Sequence, residues 1–168
     1  IQGSLENLTT ISSGNTTKGD YWVFSVRLND GVDWGGFVNS STMIIDNSLP
    51  TTTTPILNTT NNNNYTTDNL TCYFTISDAE SEDNLSANFT WHKDGVLNLT
   101  GDFSVTNGVQ TSTALAFGNT TKGENWACEI LPYDGFSYGT SVTSNNLTIL
   151  NKPPTATSVN LTNSDSQN

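Results

Sequence analysis

Apolar and polar residues alternate along several short segments of the 168-residue chain. In the segment 70–76 every second residue is apolar, and these residues are Leu70, Cys72, Phe74 and Ile76. Successive side chains of a β-strand point to opposite faces, so this pattern predicts a strand that buries one face in a core.

The same alternation recurs at 87–93 and at 126–132. The residues expected to point inward there are Phe89, Trp91, Trp126, Cys128 and Ile130. Weaker strands are predicted around Val96, Phe103 and Val105, at 114–117 and at 142–150, with Asp-Gly turns at 94–95 and 134–135. Because no segment has the 3.6-residue period of an amphipathic helix, the chain is predicted to be all-β.

The chain contains an internal repeat. Residues 14–51 align without gaps on 118–155, with 16 of 38 positions identical, and both copies begin with Gly-Asn-Thr-Thr-Lys-Gly. An offset of 104 residues is the length of one sandwich domain. We therefore predict a partial domain at 1–50 that holds only late strands, a complete domain at 51–151, and the opening strand of a further repeat at 152–168.

Two cysteines and a tryptophan occur in the order Cys72, Trp91, Cys128. This order resembles the immunoglobulin fold, and the phrase 121–128 with Tyr133-Asp134-Gly135 is similar to tandem Ig-like repeats of prokaryotic, especially archaeal, surface proteins. The resemblance implies tandem β-sandwiches, one complete and one partial, and a Cys72–Cys128 disulfide packed on Trp91. The partial repeat has Phe24 at the position of Cys128, so it lacks this bridge.

Charge and composition exclude several classes of partner. The net charge of −11 opposes nucleic-acid binding, which needs a basic face, and docking on anionic membranes. No run approaches the roughly 20 apolar residues of a membrane-spanning helix. We expect an extracellular protein, secreted or at the cell surface, with no nucleic-acid partner and no membrane insertion.

Asn-X-Ser/Thr acceptors are about twice as frequent as chance predicts, and seven of them have Leu or Phe in the middle. On a strand, such a triplet turns its Asn outward and its apolar residue inward. We expect N-glycosylation, with a merely Asn/Thr-rich surface as the alternative. The twelve acceptors are Asn7, Asn15, Asn39, Asn58, Asn64, Asn69, Asn84, Asn88, Asn98, Asn119, Asn146 and Asn160.

The sequence offers little catalytic chemistry. The single histidine, His92, is predicted to face outward and has no nucleophile motif beside it, and two cysteines with one histidine are too few for a four-ligand zinc site. We therefore expect no enzyme activity. The acidic loop at 78–83 is a calcium candidate, with a solvated loop as the alternative. Its carboxylates belong to Asp78, Glu80, Glu82 and Asp83.

Aromatic residues gather near the last predicted hairpin. They are Tyr133, Phe136 and Tyr138, and the partial repeat has Val32 and Trp34 opposite the last two. Exposed rings at these positions would stack on sugars and form a carbohydrate-binding or host-binding face. The alternative is that the rings pack under the hairpin or against a neighbouring domain.

The arrangement of repeats suggests a structural role. Late strands without early ones expose an apolar face and a free strand edge. We expect the 152–168 tail of one subunit to complete the partial domain of the next by strand addition, which builds a head-to-tail homopolymeric surface filament. The alternatives are a stalk or adhesin segment cut from a longer array, and a carbohydrate-binding module of a larger secreted protein.

Overall fold

The computed structural model describes residues 10–81 and 83–161. Over these residues the regular structure is β-strand, apart from two short 3-10 turns at Ser13–Asn15 and Phe117–Asn119. The chain divides into two compact units, Ile1–Ser48 and Leu49–Asn168, which we call the hairpin unit and the sandwich unit.

The hairpin unit contains four two-residue strands. They are β1 (Tyr21–Trp22), β2 (Ser25–Val26), β3 (Val38–Asn39) and β4 (Met43–Ile44). β1 pairs with β4 and β2 with β3, both antiparallel, so the chain runs out along 21–26 and returns along 38–44.

The sandwich unit contains nine strands within the described residues. They are β5 (Thr51–Thr52), β6 (Ile56–Thr59), β7 (Leu70–Ser77), β8 (Ser86–Lys93), β9 (Val96–Ser104), β10 (Gln110–Leu115), β11 (Asn125–Tyr133), β12 (Val142–Thr143) and β13 (Leu147–Thr148).

These strands form two antiparallel sheets. In the first, β7 pairs with β10 on one side and with β5 and β6 on the other. In the second, the order is β9, β8, β11, and both β12 and β13 pair with the far side of β11. The Cys72–Cys128 disulfide joins β7 to β11 and so links the two sheets. This is the immunoglobulin-like sandwich that the cysteine and tryptophan order predicted.

The core follows the predicted alternation. All four predicted apolar residues of β7 are at most 1% exposed, and Trp91, Trp126, Cys128 and Ile130 are fully buried. Phe89 and Phe103 are half-buried and pack against this core, with ring centroids 6.1 Å apart. The alternating pattern therefore predicted the buried face correctly.

Three predicted strands differ from the structure. The strand predicted at 114–117 is β10, which ends at Leu115, because the Phe117 N–H donates to Asn69 and the chain turns. The strand predicted at 142–150 is split into β12 and β13, because the Ser144 hydroxyl accepts a hydrogen bond from the Cys128 backbone N–H. Of the strand predicted at 152–168, residues 152–161 form no strand and are exposed, and residues 162–168 lie outside the described residues.

Candidate functional site

The hairpin unit reproduces the last hairpin of the sandwich unit at the offset of 104 residues. The β1–β4 pairing matches β11–β13, and the β2–β3 pairing matches β11–β12. Individual hydrogen bonds also match. The Ser40 hydroxyl accepts the Phe24 N–H at 3.0 Å, and the Ser144 hydroxyl accepts the Cys128 N–H at 3.0 Å. The repeat seen in the sequence is therefore a repeat of backbone structure.

The turns of the two hairpins are built in the same way. One carboxylate oxygen of Asp30 accepts backbone N–H groups two and three residues ahead, both at 2.9 Å, and Asp134 does the same at 2.7 Å. Gly31 and Gly135 follow them with φ of +98° and +94°, which glycine adopts without strain. The N–H groups of Asp33 and Val32 lower the pKa of Asp30, since they stabilise the ionised carboxylate.

The two hairpins differ in what covers their apolar face. In the sandwich unit Cys128 and Leu147 are 0% and 5% exposed. Their equivalents, Phe24 and Met43, are 47% and 65% exposed. An apolar groove of about 560 Å³ runs along this face, and its lining includes Ile11, Trp22, Phe24 and Met43. The face that forms a core in one unit is open in the other, over the residues that the structure describes.

Among the described residues, the indole of Trp22 lacks the hydrogen bond that its equivalent makes in the sandwich unit. The equivalent Trp126 donates its indole N–H to Glu124 at 3.0 Å. Trp22 Nε1 is shielded from solvent but has no hydrogen-bond partner within the described part of the chain. Asp20 stands at the position of Glu124 and is one methylene shorter.

Glu124 lies at the centre of a small polar cluster. It pairs with Lys93, and its other oxygen accepts the Thr121 and Trp126 N–H groups. Burial acts to raise the pKa of Glu124, but the hydrogen bonds from Lys93, Thr121 and Trp126 together outweigh it, so the pKa lies below its usual value. The indole of Trp126 is thus hydrogen-bonded to a carboxylate that also pairs with Lys93.

The acidic loop brings three of its four candidate residues together. Carboxylate oxygens of Asp78, Glu80 and Asp83 lie within 4.8 Å of one another. Glu82 lies outside the described residues. Burial, followed by contact with Glu80 and the charge of Asp83, raises the pKa of Asp78 despite the backbone N–H it accepts from Glu80. Oxygen ligands of this kind fit calcium, and the calcium interpretation stays a prediction.

His92 lies on the outer face of the second sheet, as predicted. Its Nε2 is 2.9 Å from a carboxylate oxygen of Glu129, and both side chains are partly exposed. The Ser141 hydroxyl, and then His92, lower the pKa of Glu129. This is a cross-strand pair on a solvated surface.

The eleven acceptor asparagines within the described residues lie at the surface, and Asn7 lies outside them. Asn64 and Asn88 are half-buried, and the other nine are exposed. The inward position of the middle residue is confirmed for Leu70, Leu85 and Leu147. It is wrong for Leu99, 44% exposed on the edge strand β9, and for Leu161, 99% exposed, because neither faces a second layer.

The aromatic candidates divide into two groups. Tyr133 and Tyr138 stack on each other, with ring centroids 4.5 Å apart. Phe136 and Trp34 are 68% and 60% exposed at the two equivalent turns. The guanidinium of Arg27 lies 4.3 Å from the Trp34 ring centroid, a cation–π contact that the sequence did not predict.

A groove beside Trp34 was also missed. It has a volume of about 770 Å³, and its lining includes Leu28, Asp33, Trp34 and Gly35. The repeat alignment pointed to this position, since Gly35 is identical to Gly139. The alignment does not show why glycine is needed there.

Comparison with known proteins leaves the family open. No family model matches the chain, and no curated protein matches it. Among solved structures, domains d3–d4 of the extracellular region of rat CD45 are similar, with 12% identity and a TM-score of 0.45 over 88% of this chain and 74% of that one. Within the described residues, no helix has the length and apolar character needed to cross a membrane.

Proposed function

We propose that the chain is a non-catalytic building block of an extracellular filament, in which copies join head-to-tail by strand addition. One observation carries this proposal. The hairpin unit has the backbone hydrogen bonds of the last hairpin of an Ig-like sandwich, while the apolar face that such a hairpin buries is open. An open face of this kind is a binding surface for further strands.

The sandwich unit indicates what kind of partner fits this face. There the residues of the equivalent face belong to one buried core cluster with Leu57, the inward residues of β7 and Trp91 of β8. Burying a Phe or Met side chain stabilises an assembly by about 1.5–3 kcal/mol. A partner that offers β-strands with apolar residues at every second position would therefore bind here.

The tail of a second copy has this character. Residues 152–161 are exposed and unpaired, and Val159 and Leu161 are 86% and 99% exposed. At the repeat offset Leu161 corresponds to Leu57, which is 1% exposed in the sandwich unit. The tail thus repeats an opening strand that has no place in its own sandwich. Since donor and acceptor differ, the contact propagates into a filament.

Other features of the chain fit an extracellular polymer. The buried Cys72–Cys128 disulfide is typical of oxidising compartments. Exposed acceptor asparagines would carry glycans that cover the surface, and the net charge of −11 would keep free subunits apart. Nucleic-acid binding, membrane insertion and catalysis form no part of this proposal.

A carbohydrate-binding module is the second candidate function, favoured by the exposed rings of Phe136 and Tyr138 and of Trp34 in the hairpin unit. Saturable binding on a glycan array that is lost in both Phe136→Ala and Tyr138→Ala would support it. Phe117→Ala, which removes another exposed ring, is the matched control.

Negative-stain electron microscopy and analytical ultracentrifugation of the purified glycosylated chain test the filament. We expect filaments with a regular axial repeat, and monomers after deletion of residues 152–168. Filaments that still form after this deletion would show that other strands cover the apolar face of the hairpin unit, as in a tandem stalk. A particle of one chain at every concentration would overturn assembly.

A further inference from the structure

Gly139 of the sandwich unit is required by a close contact. Its φ lies outside the left-handed region, so backbone conformation does not call for glycine. A Cβ at this position would collide with the backbone carbonyl of Pro50 and would lie 2.9 Å from a side-chain carbon of Pro132. Pro50 and Pro132 are both fully buried. The opening segment of the sandwich is thus seated directly on Gly139.

Gly35 has the same local structure without this contact. Its N–H donates to Leu28 at 2.8 Å, as the Gly139 N–H donates to Pro132 at 2.9 Å. Among the described residues, a Cβ at Gly35 would meet only the Leu28 carbonyl, at 3.5 Å. An open groove of about 770 Å³, whose lining includes Gly35 and Leu28, lies at this position of the hairpin unit. Nothing in the described part of the chain itself calls for glycine at 35.

We propose that the groove at Gly35 is the seat for Pro154 of a second copy. This inference rests on the proposed head-to-tail assembly and names its contact. Pro154 corresponds to Pro50 at the repeat offset, and the adjacent Thr155 to Thr51. Pro154 is exposed and held by no strand. Docked in the same way, its backbone carbonyl lies on Gly35, as the Pro50 carbonyl lies on Gly139.

The charges near the groove at Gly35 and near Pro154 favour a contact between copies. Asp33 lines the groove, and Lys152 precedes Pro154 by two residues. Their equivalents at the repeat offset are the neutral Ser137 and Ser48. Opposite charges therefore occur in the pair of segments that must find each other in solution, where they add attraction and orient the tail.

The direct test uses a synthetic peptide of residues 152–161 and the full chain carrying Gly35→Ala. Gly36→Ala is the matched control, since a Cβ at Gly36 meets nothing within 4 Å. We expect the peptide to bind wild type and Gly36→Ala equally in calorimetry, and Gly35→Ala about tenfold or more weakly. Melting temperatures of the three proteins should agree, because a Cβ at Gly35 lies at ordinary van der Waals distance from the Leu28 carbonyl and a Cβ at Gly36 meets nothing within 4 Å.

A charge exchange gives a second readout. A Lys152→Glu peptide should bind wild type more weakly, and the Asp33→Lys protein should recover its binding. Peptide that binds Gly35→Ala as well as wild type, or no peptide binding, would overturn this seat, while filaments of wild-type protein would leave the proposed function standing. Peptide binding that depends on Gly35, in a protein that stays a single-chain particle, would keep the seat and overturn the filament.

Discussion

The Cys72–Cys128 crosslink should supply a large share of the stability of the sandwich unit. The bridge closes a loop between residues 56 positions apart, and both cysteines are fully buried between the sheets. Reduction keeps the two sulfur atoms in the core and removes only the bond. Comparing oxidised with reduced protein therefore isolates the effect of the crosslink from that of packing.

The expected magnitude follows from the loop length. In the chain-entropy treatment, opening a loop of this size lowers the free energy of unfolding by about 4 kcal/mol. A unit of about 120 residues has an unfolding entropy of roughly 0.25 kcal/mol/K near 60 °C. The melting temperature should therefore fall by about 15 °C on reduction.

Circular dichroism melts of three samples check this value. They are the oxidised protein, the same protein unfolded and refolded in reductant, and the Cys72→Ala/Cys128→Ala variant. The double variant should melt below the reduced protein, because it also loses buried atoms. Reductant should leave the variant unchanged. A difference below about 3 °C between oxidised and reduced protein would refute the reasoning that the bridge acts by restricting the unfolded chain.

Three further outcomes are expected. Glu124 and Glu129 have pKa values held below the usual 4.5, so they stabilise the fold above about pH 4.5 and lose this contribution as the pH falls through the lowered values. Denaturant titrations should show a shallower loss of stability below pH 4.5 in Glu124→Gln than in wild type, and equal slopes would contradict the assignment. Millimolar calcium should raise the melting temperature by offsetting repulsion among Asp78, Glu80 and Asp83, and Asp78→Asn should lose this response. Identical melts in calcium and EDTA would remove the calcium interpretation. Mass-spectrometric mapping after enzymatic release of glycans should find fuller occupancy at the exposed Asn98 and Asn119 than at the half-buried Asn64 and Asn88, and the reverse order would contradict an effect of accessibility.

Part of the candidate site was predictable from the chain alone. The offset of 104 residues identified the hairpin unit as a set of late strands, and Phe24 in place of Cys128 showed that it lacks a bridge. The exposure of Phe24 and Met43 was not predictable from their own residue types, because both are apolar residues that normally enter a core. That no strand among the described residues covers them depends on the arrangement of distant segments, which these two residue types do not specify.

The sequence by itself determined the all-β class, the buried face of β7 and the position of the Asp-Gly turns. These features depend on the two-residue period of a strand and on the conformation of a few neighbouring residues, which are local properties. Only the tertiary structure decided that Leu99 is exposed and that 142–150 is broken at Ser144. It also decided that a Cβ at Gly139 would collide with Pro50, while among the described residues a Cβ at Gly35 would meet only the Leu28 carbonyl. These outcomes depend on which distant segment lies opposite each residue, and no local pattern specifies that neighbour.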